Sequence, residues 1–340
     1  MTKHCNRFVA LLIISLGALL NALCGQTFAK VGIVGAQFLK IEVGARSLAM
    51  GSAAMADVND VSSVFWNPSG LTSIENGSAL VSHVNWIADI KYDAAAVAKR
   101  FGNVGVISLF FSHLNSGEIE ETTEYQQQGT GNTFKYTDLM VGVGLARKLT
   151  HNFSFGGNIK LVREDYGVND DFDGNPIVAQ AIAFDIGTQY VTGFRSLRMG
   201  LAIQNFGPEL QPKGRYEDII GFDSNTQTYT RDDVQDYKAY PMPMIFRAGL
   251  AMELLESEQY VLTIAGDVLH PSDNVERVNL GAQLRVMDAL AVRGGYVVNS
   301  DTHRFSFGGG LAIGPINFDY AFLDYGILTN IQTFSAVFNF

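Results

Sequence analysis

The stretch FSFGGNIKLVRE at residues 153–164 decides the fold, because its side chains alternate in character. One face carries the apolar side chains and a glycine: Phe153, Phe155, Gly157, Ile159 and Leu161. The other face carries the polar side chains and a second glycine: Ser154, Gly156, Asn158, Lys160 and Glu164. A period of two sustained over this length indicates a β-strand with one apolar and one polar face.

The same alternation recurs to the end of the chain and predicts fourteen strands. They cover residues 78–88, 92–100, 103–113, 136–149, 152–165, 178–190, 196–206, 243–254, 258–269, 275–286, 289–298, 304–313, 316–325 and 331–340. No helical pattern separates them, so we expect an all-β, antiparallel meander.

The connections between these strands sort by parity. Alternate connections are short, at 101–102, 150–151, 191–195, 255–257, 287–288 and 314–315, and the other set holds the long ones, at 114–135, 166–177 and 207–242. Short turns at one end, longer loops at the other and an even strand number are typical of transmembrane β-barrels. Closure leaves no strand edge exposed to lipid. The chain is therefore predicted to be a fourteen-stranded transmembrane β-barrel of the bacterial outer membrane.

The first residues are typical of a secretory signal peptide. Lys3 and Arg7 precede the apolar run VALLIISLGALLNALC, and GQTFAK follows it. We expect a signal peptide at 1–25, with cleavage after Gly25 or as late as Ala29. Lipid attachment at Cys24 is disfavoured by Leu23 directly before it. Both cysteines lie in this segment, so no disulfide or cysteine metal site is expected in the mature chain.

Charge placement predicts which strand face is inside. A charge facing the bilayer midplane costs about 2–4 kcal/mol, so the polar set should face the lumen. This set includes Asp138, Lys160, Asp185, Arg247, Asp267 and Arg293. Both signs occur, which predicts a lumen that is water-filled or plugged. The net charge of −10 argues against a nucleic-acid partner.

Residues 30–77 precede the 78–340 barrel and lack its alternation. They are rich in Gly, Ala and Ser, which favours close packing, and we expect them to form a plug or hatch that starts on the periplasmic side. VFWNPSGL at 64–71 predicts a rigid turn that leaves a short helix over MADVNDVSSVFW. Pro68 fixes its own φ, Asn67 bonds its backbone neighbours and Trp66 pins the turn. A direct contact with transported material is the alternative role for this turn.

GARSLAMGSAAMADVNDVSSVFWNPSGL resembles the N-terminal signature of the PorV/PorQ family of outer-membrane barrels, which is associated with type IX secretion. More distantly it is similar to the hatch of FadL-type barrels, which carry long-chain fatty acids and other hydrophobic compounds. The matching residues are Gly44, Arg46, Met50, Gly51, Asp57, Asp60, Trp66, Asn67, Pro68, Gly70 and Leu71. Both groups have fourteen strands, and the resemblance covers the mature chain.

The last strand, NIQTFSAVFNF, ends in aromatic residues at Phe334, Phe338 and Phe340. This pattern resembles the signal by which outer-membrane barrels are handed to their assembly machinery. That machinery and outer-membrane lipids are the expected partners, and both chain termini are expected in the periplasm.

The long loops are acidic, with Glu118, Glu120, Glu121, Asp170, Asp171, Asp173, Asp218, Asp232 and Asp233 among their residues. They are interpreted as a docking surface for secreted passenger proteins and secretion-system subunits. Solubility and divalent bridging to surface glycolipid is the alternative.

We therefore expect a non-catalytic accessory of protein secretion or surface attachment, without cofactor, metal or enzymatic site. The alternative is a FadL-like diffusion channel for hydrophobic compounds, which requires an apolar pocket between plug and wall. A structural or adhesin barrel is the third hypothesis.

Overall fold

The computed structural model describes residues 32–340 except 124, 171, 218, 224–227, 232, 301 and 303. The predicted signal peptide and both of its cleavage positions lie outside these residues. Among the described residues, no helix is long and apolar enough to cross a membrane.

The predicted number of barrel strands is confirmed in the described part of the chain. The strands are β1 Gly77–Asn85, β2 Lys91–Phe101, β3 Gly105–Asn115, β4 Thr137–Lys148, β5 Phe153–Asn169, β6 Pro176–Val191, β7 Arg198–Phe206, β8 Ile245–Glu256, β9 Tyr260–Pro271, β10 Arg277–Val286, β11 Leu290–Val298, β12 Phe305–Ile313, β13 Ile316–Asp324 and β14 Asn330–Asn339.

Each strand pairs antiparallel with its chain neighbour, and β1 pairs with β14 from Ser78 opposite Asn339 to Asn85 opposite Gln332. This last pairing closes the sheet into a barrel, so every strand has two partners. The β6–β7 register shifts between Phe184 and Ile186, where Asn205 adopts a φ of 60°. That extra residue forms a bulge in the wall.

The two faces of the wall differ as the alternation predicts. Apolar side chains such as Leu109, Val141 and Leu161 point outward and are exposed. The inward charged side chains of Lys160, Asp185 and other strand residues are buried. The outer surface is thus a continuous apolar band that suits contact with lipid.

The two ends of the barrel differ in their connections. Six short turns, at 102–104, 149–152, 192–197, 257–259, 287–289 and 314–315, define what we call the short-turn end. The long-loop end carries 116–136, 170–175 and 207–244. Short ladders brace these loops, including Ile119–Glu120 with Thr133–Phe134 and Arg215–Tyr216 with Gln235–Asp236.

Residues 34–76, here called the N-terminal segment, hold only short helices. These are the 3₁₀ turns Gln37–Lys40 and Pro68–Ser73 and the helices α1 Ala45–Ala49 and α2 Ser63–Trp66. The helix expected from Met55 onward is therefore wrong in extent. Asp60 explains where α2 begins, because its carboxylate accepts the backbone N–H of Ser62 at 2.7 Å and its carbonyl accepts Ser63 N–H at 3.1 Å.

Candidate binding cavity

The N-terminal segment packs against the inward faces of strands on several sides of the barrel. Gly295 of β11 and Gly200 of β7 mark two of the closest approaches. A Cβ added at Gly295 would lie 1.9 Å from Gly51 N, and one at Gly200 would lie 2.1 Å from Met55 O. Only glycine permits backbone to approach backbone this closely.

The segment runs from the long-loop end to the short-turn end. Near its start, Gly35 N–H donates to Pro241 O at 3.1 Å and Lys40 pairs with Asp273 at 2.7 Å, both partners lying in loops of the long-loop end. Near its end, Ile74 O accepts Arg100 Nε at 2.8 Å, beside a short turn. The expectation that this segment starts at the short-turn end is wrong for the described residues. About forty residues are long enough to cross the lumen once.

The turn VFWNPSGL is buried and joins the segment to the wall. Trp66 Nε1 donates to Val43 O at 2.7 Å, and the Arg247 guanidinium lies 5.2 Å from the centre of the Trp66 ring. Asn67 Nδ2 donates to Met55 O at 2.9 Å and to Thr188 O of β6 at 3.0 Å. The Trp66 and Asn67 side chains therefore both have structural partners.

The remainder of this turn is equally enclosed. Asn67 Oδ1 accepts Ser69 N–H at 3.3 Å, and Pro68 begins the 3₁₀ turn. A Cβ added at Gly70 would lie 2.4 Å from Val58 O. Leu71 is fully buried.

The other residues of the N-terminal motif include an ionic chain at the short-turn side of the lumen. Arg46 pairs with Asp57 at 2.5 Å and lies 3.9 Å from Asp60. Asp57 also pairs with Arg198 of β7 at 3.0 Å, and Arg198 pairs with Glu253 of β8 at 2.7 Å. Gly44 and Gly51 have φ of 96° and 65°, and Met50 is buried.

Most of the carboxylates that point into the lumen have a basic partner. Asp185 pairs with Lys160 at 2.8 Å, Glu42 with Arg247 at 3.1 Å and Asp319 with Arg293 at 2.6 Å. Asp267 instead accepts the backbone N–H groups of Ala54 and Met55 at 2.7 and 2.9 Å. Ion pairs of this kind balance much of the mixed-sign charge in the lumen.

One side of the lumen is apolar, which the sequence analysis did not predict. Its inward apolar residues on β2 to β5 include Ala94, Ala96, Phe110, Met140 and Val162, and the charged Asp138, Lys160 and Glu164 point inward beside them. They belong to one buried cluster with Phe38, Ile41, Val43 and Val64 of the N-terminal segment. The segment and this wall together form an apolar contact surface inside the barrel.

A cavity of about 30 Å³ lies where the apolar and charged sides meet. Its apolar lining includes Tyr92, Phe110 and Met140, and its polar lining includes Lys160 and Arg247. This volume holds about one water and no hydrocarbon. A larger polar hollow of about 580 Å³ opens at the short-turn end, beside Arg46 and Arg293.

Above the apolar wall, at the long-loop end, lies a group that we call the acid–tyrosine cluster: Asp138, Glu164, Tyr136, Tyr166 and Tyr240. Glu164 accepts Tyr136 Oη at 3.1 Å and Tyr240 Oη at 2.5 Å. Burial and the nearby carboxylate raise the pKa of Tyr136 and of Tyr240, so both phenols keep their protons and donate. Sequence reasoning placed Asp138 inward but missed this cluster, because Tyr240 is 76 residues from Glu164.

The predicted docking acids of the long loops bond mainly within their own loops. Glu118 lies 3.4 Å from Lys135, and Glu121 accepts Thr130 Oγ1 and Asn132 Nδ2 at 2.6 and 2.9 Å. Those hydrogen bonds lower the pKa of Glu121. Glu120 lies in a short ladder.

Asp170 and Asp173 hold another loop. Burial alone would raise the pKa of Asp170, but the N–H groups of Phe172, Arg215 and Asp173 hold it below its usual value. Asp173 lies 3.6 Å from Arg215, and Asp233 also has an interaction partner. Asp171, Asp218 and Asp232 lie outside the described residues.

The terminal aromatic residues are on the outer face. Phe334 packs on Tyr320 at 5.1 Å between ring centres, and Phe338 stacks on Phe340 at 5.6 Å. All three phenylalanines are exposed and available to lipid. Their role as an assembly signal stays a prediction.

No family model and no curated protein sequence matches the chain. Among solved structures, it is similar to the CymD monoaromatic hydrocarbon channel, with a TM-score of 0.57, 13% identity and coverage of 88% of this chain and 98% of that one. For the toluene transporter TbuX of Ralstonia pickettii the TM-score is 0.53 and the identity 13%, with coverage of 86% of this chain and 96% of that one. For a FadL homologue of Pseudomonas aeruginosa the TM-score is 0.54 and the identity 11%, with coverage of 87% of this chain and 98% of that one. The fold is therefore that of FadL-type outer-membrane barrels.

The expectation of a secretion accessory is contradicted by the first two of these neighbours, which are a hydrocarbon channel and a toluene transporter. The loops give a physical reason. Glu121 and Asp170, which were expected to bind passengers, are hydrogen-bonded within the loops of this chain. The expected passenger partners are not retained.

Proposed function

We propose that the protein is an outer-membrane channel for small hydrophobic compounds, closed by the N-terminal segment. The observation that supports this most is the apolar inward wall of β2 to β5, packed against the apolar side chains of the segment. A pore for ions or sugars needs a polar lining along its whole path, whereas this wall offers a surface on which a hydrocarbon loses its water.

The proposal treats the described arrangement as the closed state. A cavity of about 30 Å³ is too small for a benzene ring, so the segment must shift before a hydrocarbon passes. The polar hollow at the short-turn end lies on the far side of the segment and would receive the compound next. In this proposal the long loops face outward, the short turns face the periplasm, and the protein has no catalytic role.

The resemblance to the PorV/PorQ family is proposed only as an evolutionary relationship, without the secretion role. It rests on residues 44–71, which in this barrel serve packing of the segment: Trp66 bonds Val43, and Asn67 bonds Met55. These contacts suit a hatch in any barrel of this type.

The test is uptake of radiolabelled propylbenzene by cells that lack their own hydrocarbon channels and express this protein. We expect faster initial uptake than in cells with an empty vector, and no change for a sugar of similar mass. Equal propylbenzene uptake in both, with the folded barrel present in the outer membrane, would contradict the proposal.

A disulfide lock tests the hatch. Thr72 Oγ1 of the segment lies 3.0 Å from Ser154 Oγ of β5, so cysteines at these two positions place their sulfurs within bonding reach. We expect the oxidised Thr72→Cys/Ser154→Cys protein to lose most propylbenzene uptake and to regain it on reduction. The reduced protein and both single variants are the controls. If the oxidised and reduced proteins take up propylbenzene at the same rate, this end of the segment does not move during transport.

A further inference from the structure

Two carboxylates face each other in the upper lumen without a basic partner. Asp138 of β4 is directly opposite Glu164 of β5 in the register, and both side chains are buried. Among the described residues no salt bridge reaches either one, although neighbouring lumenal acids such as Asp185 pair with Lys160. Two buried negative charges in contact are unfavourable unless a cation or a proton balances them.

The two carboxylates differ in how they are satisfied. Glu164 accepts four neutral donors: Ala36 N and Tyr136 Oη at Oε1, and Tyr240 Oη and Tyr166 Oη at Oε2. Asp138 is 2% exposed, and its Oδ1 atom has no hydrogen-bond partner. Glu164 therefore organises the tyrosines, and Asp138 presents the free acceptor.

Aromatic rings and an apolar wall surround this free acceptor. Tyr136 and Tyr166 pack edge to face with ring centres 5.7 Å apart. Tyr92 of β2 is opposite Leu114, which is opposite Asp138, so the three lie in one inward row. Met140 is the next inward residue below Asp138 on β4 and lines the central cavity with Tyr92 and Phe110.

We propose that Asp138 and the acid–tyrosine cluster bind the ammonium group of a hydrophobic amine, whose apolar body lies against Met140 and Phe110. This deepens the proposed channel function and rests on it, because it names organic amines as a preferred substrate class. The ammonium supplies the missing positive charge and donates to Asp138 Oδ1. The tyrosine rings add cation–π attraction.

The chemistry of the cluster favours an organic ammonium over an inorganic cation. Within the described residues no group of three or more His, Cys, Asp or Glu side chains could hold a metal ion. A divalent cation needs about six oxygen ligands, and four of the acceptor sites on Glu164 are already occupied by neutral donors. The apolar wall directly beneath the charge offers contacts to a hydrocarbon body but no ligands to a bare ion.

The experiment compares two probes of matched shape in proteoliposomes that contain the full chain: 2-phenylethylamine and propylbenzene, which differ by an ammonium in place of a methyl group. We expect half-saturation of uptake at an amine concentration at least about tenfold below that of propylbenzene. Asp138→Asn keeps the side-chain shape and removes the charge. It should remove this preference, so that the amine and propylbenzene reach half-saturation at similar concentrations.

Asp165→Asn is the matched control, since Asp165 follows Glu164 on β5 but points outward and pairs with Arg163 at 3.1 Å. It should leave the amine preference intact. Glu164→Gln is a second variant. If its electrophoretic mobility shows that it does not fold, the result for Asp138→Asn still stands.

Three outcomes would overturn the proposal. The first is equal half-saturation for the two probes in the native protein, and the second is a preference that survives Asp138→Asn. The third is calcium binding that is abolished by Asp138→Asn and is not reduced by competition from 2-phenylethylamine. If propylbenzene is transported in each case, the channel function stands and only the amine site fails.

Discussion

At the scale of single residues, the contact between wall and segment depends on glycine positions that face inward. Gly295 on β11 faces Gly51, and an added Cβ would lie 1.9 Å from Gly51 N and 2.3 Å from Gly51 Cα. These obstructing atoms are backbone, so no side-chain rotation relieves the overlap. Gly51 itself has a φ of 65°, which other residues resist. The closest approach is thus encoded by two glycines far apart in the chain.

Gly294 and Gly295 provide a matched pair for testing this contact. Gly294 points outward and has no atom within 4 Å of an added Cβ. We expect Gly295→Val to destabilise the barrel by at least about 3 kcal/mol, the top of the usual range for overpacking, and to release the segment. Gly294→Val should be neutral or slightly stabilising, because valine favours strands and adds outward apolar surface.

The measurement is urea unfolding of both variants in lipid bilayers, together with proteolysis at Arg46. Faster cleavage in Gly295→Val than in Gly294→Val is the expected sign of release. Equal stability of the two variants would mean that the segment is not held against β11.

At the scale of elements, ionic anchors hold the N-terminal segment at its two ends. Near the long-loop end these are Lys40 with Asp273 and Glu164 with the backbone of Ala36. Towards the short-turn end Asp57 lies between Arg46 and Arg198. Without the charge of Asp57, these two arginines would face each other in a partly buried site.

We expect Asp57→Asn to cost about 3 kcal/mol, the lower end of the range for breaking a buried ion pair, since both arginines keep some contact with water. Asp60→Asn is the matched control. Asp60 is more exposed and 3.9 Å from Arg46, so its loss should cost less than about 1 kcal/mol. Hydrogen exchange over residues 44–60 should rise in Asp57→Asn alone. A similar rise in both variants would show that Asp57 has no special role.

The same elements show what the sequence could predict. Strands such as β5 were predicted to within a few residues, because alternation is a local signal that lipid and lumen impose on every pair of positions. The acid–tyrosine cluster was not predicted, because Glu164 meets Ala36 across 128 residues and Tyr240 across 76. The direction of the N-terminal segment failed for the same reason. Its course depends on distant partners such as Pro241 and Asp273, which leave no local pattern.

At the scale of the whole molecule, the barrel and the segment supply each other's partners. The segment provides Glu42 to Arg247 and Asp57 to Arg198, and the wall provides apolar contacts to Phe38 and Ile41. The sheet does not need the segment for its own hydrogen bonds, however, because β1 and β14 pair along their length. Closure of the wall is therefore independent of the N-terminal segment.

Deleting residues 34–74 should separate closure of the wall from closure of the lumen. We expect the shortened chain to assemble as a barrel, because the β1–β14 pairing and the outward apolar band remain. Its lumen should fill with water around Arg247, which loses Glu42, while Asp273 at the long-loop end loses Lys40, since hydration replaces lost ion pairs at little cost once water enters. Single-channel recording in planar bilayers should then show steady ion conductance for the deletion and none for the full chain. Asp57→Asn, which loosens the segment but keeps it, should give only brief openings. A folded deletion barrel that conducts no ions would mean that the loops at 116–136 or 207–244 close the lumen, and the segment would then not be the hatch.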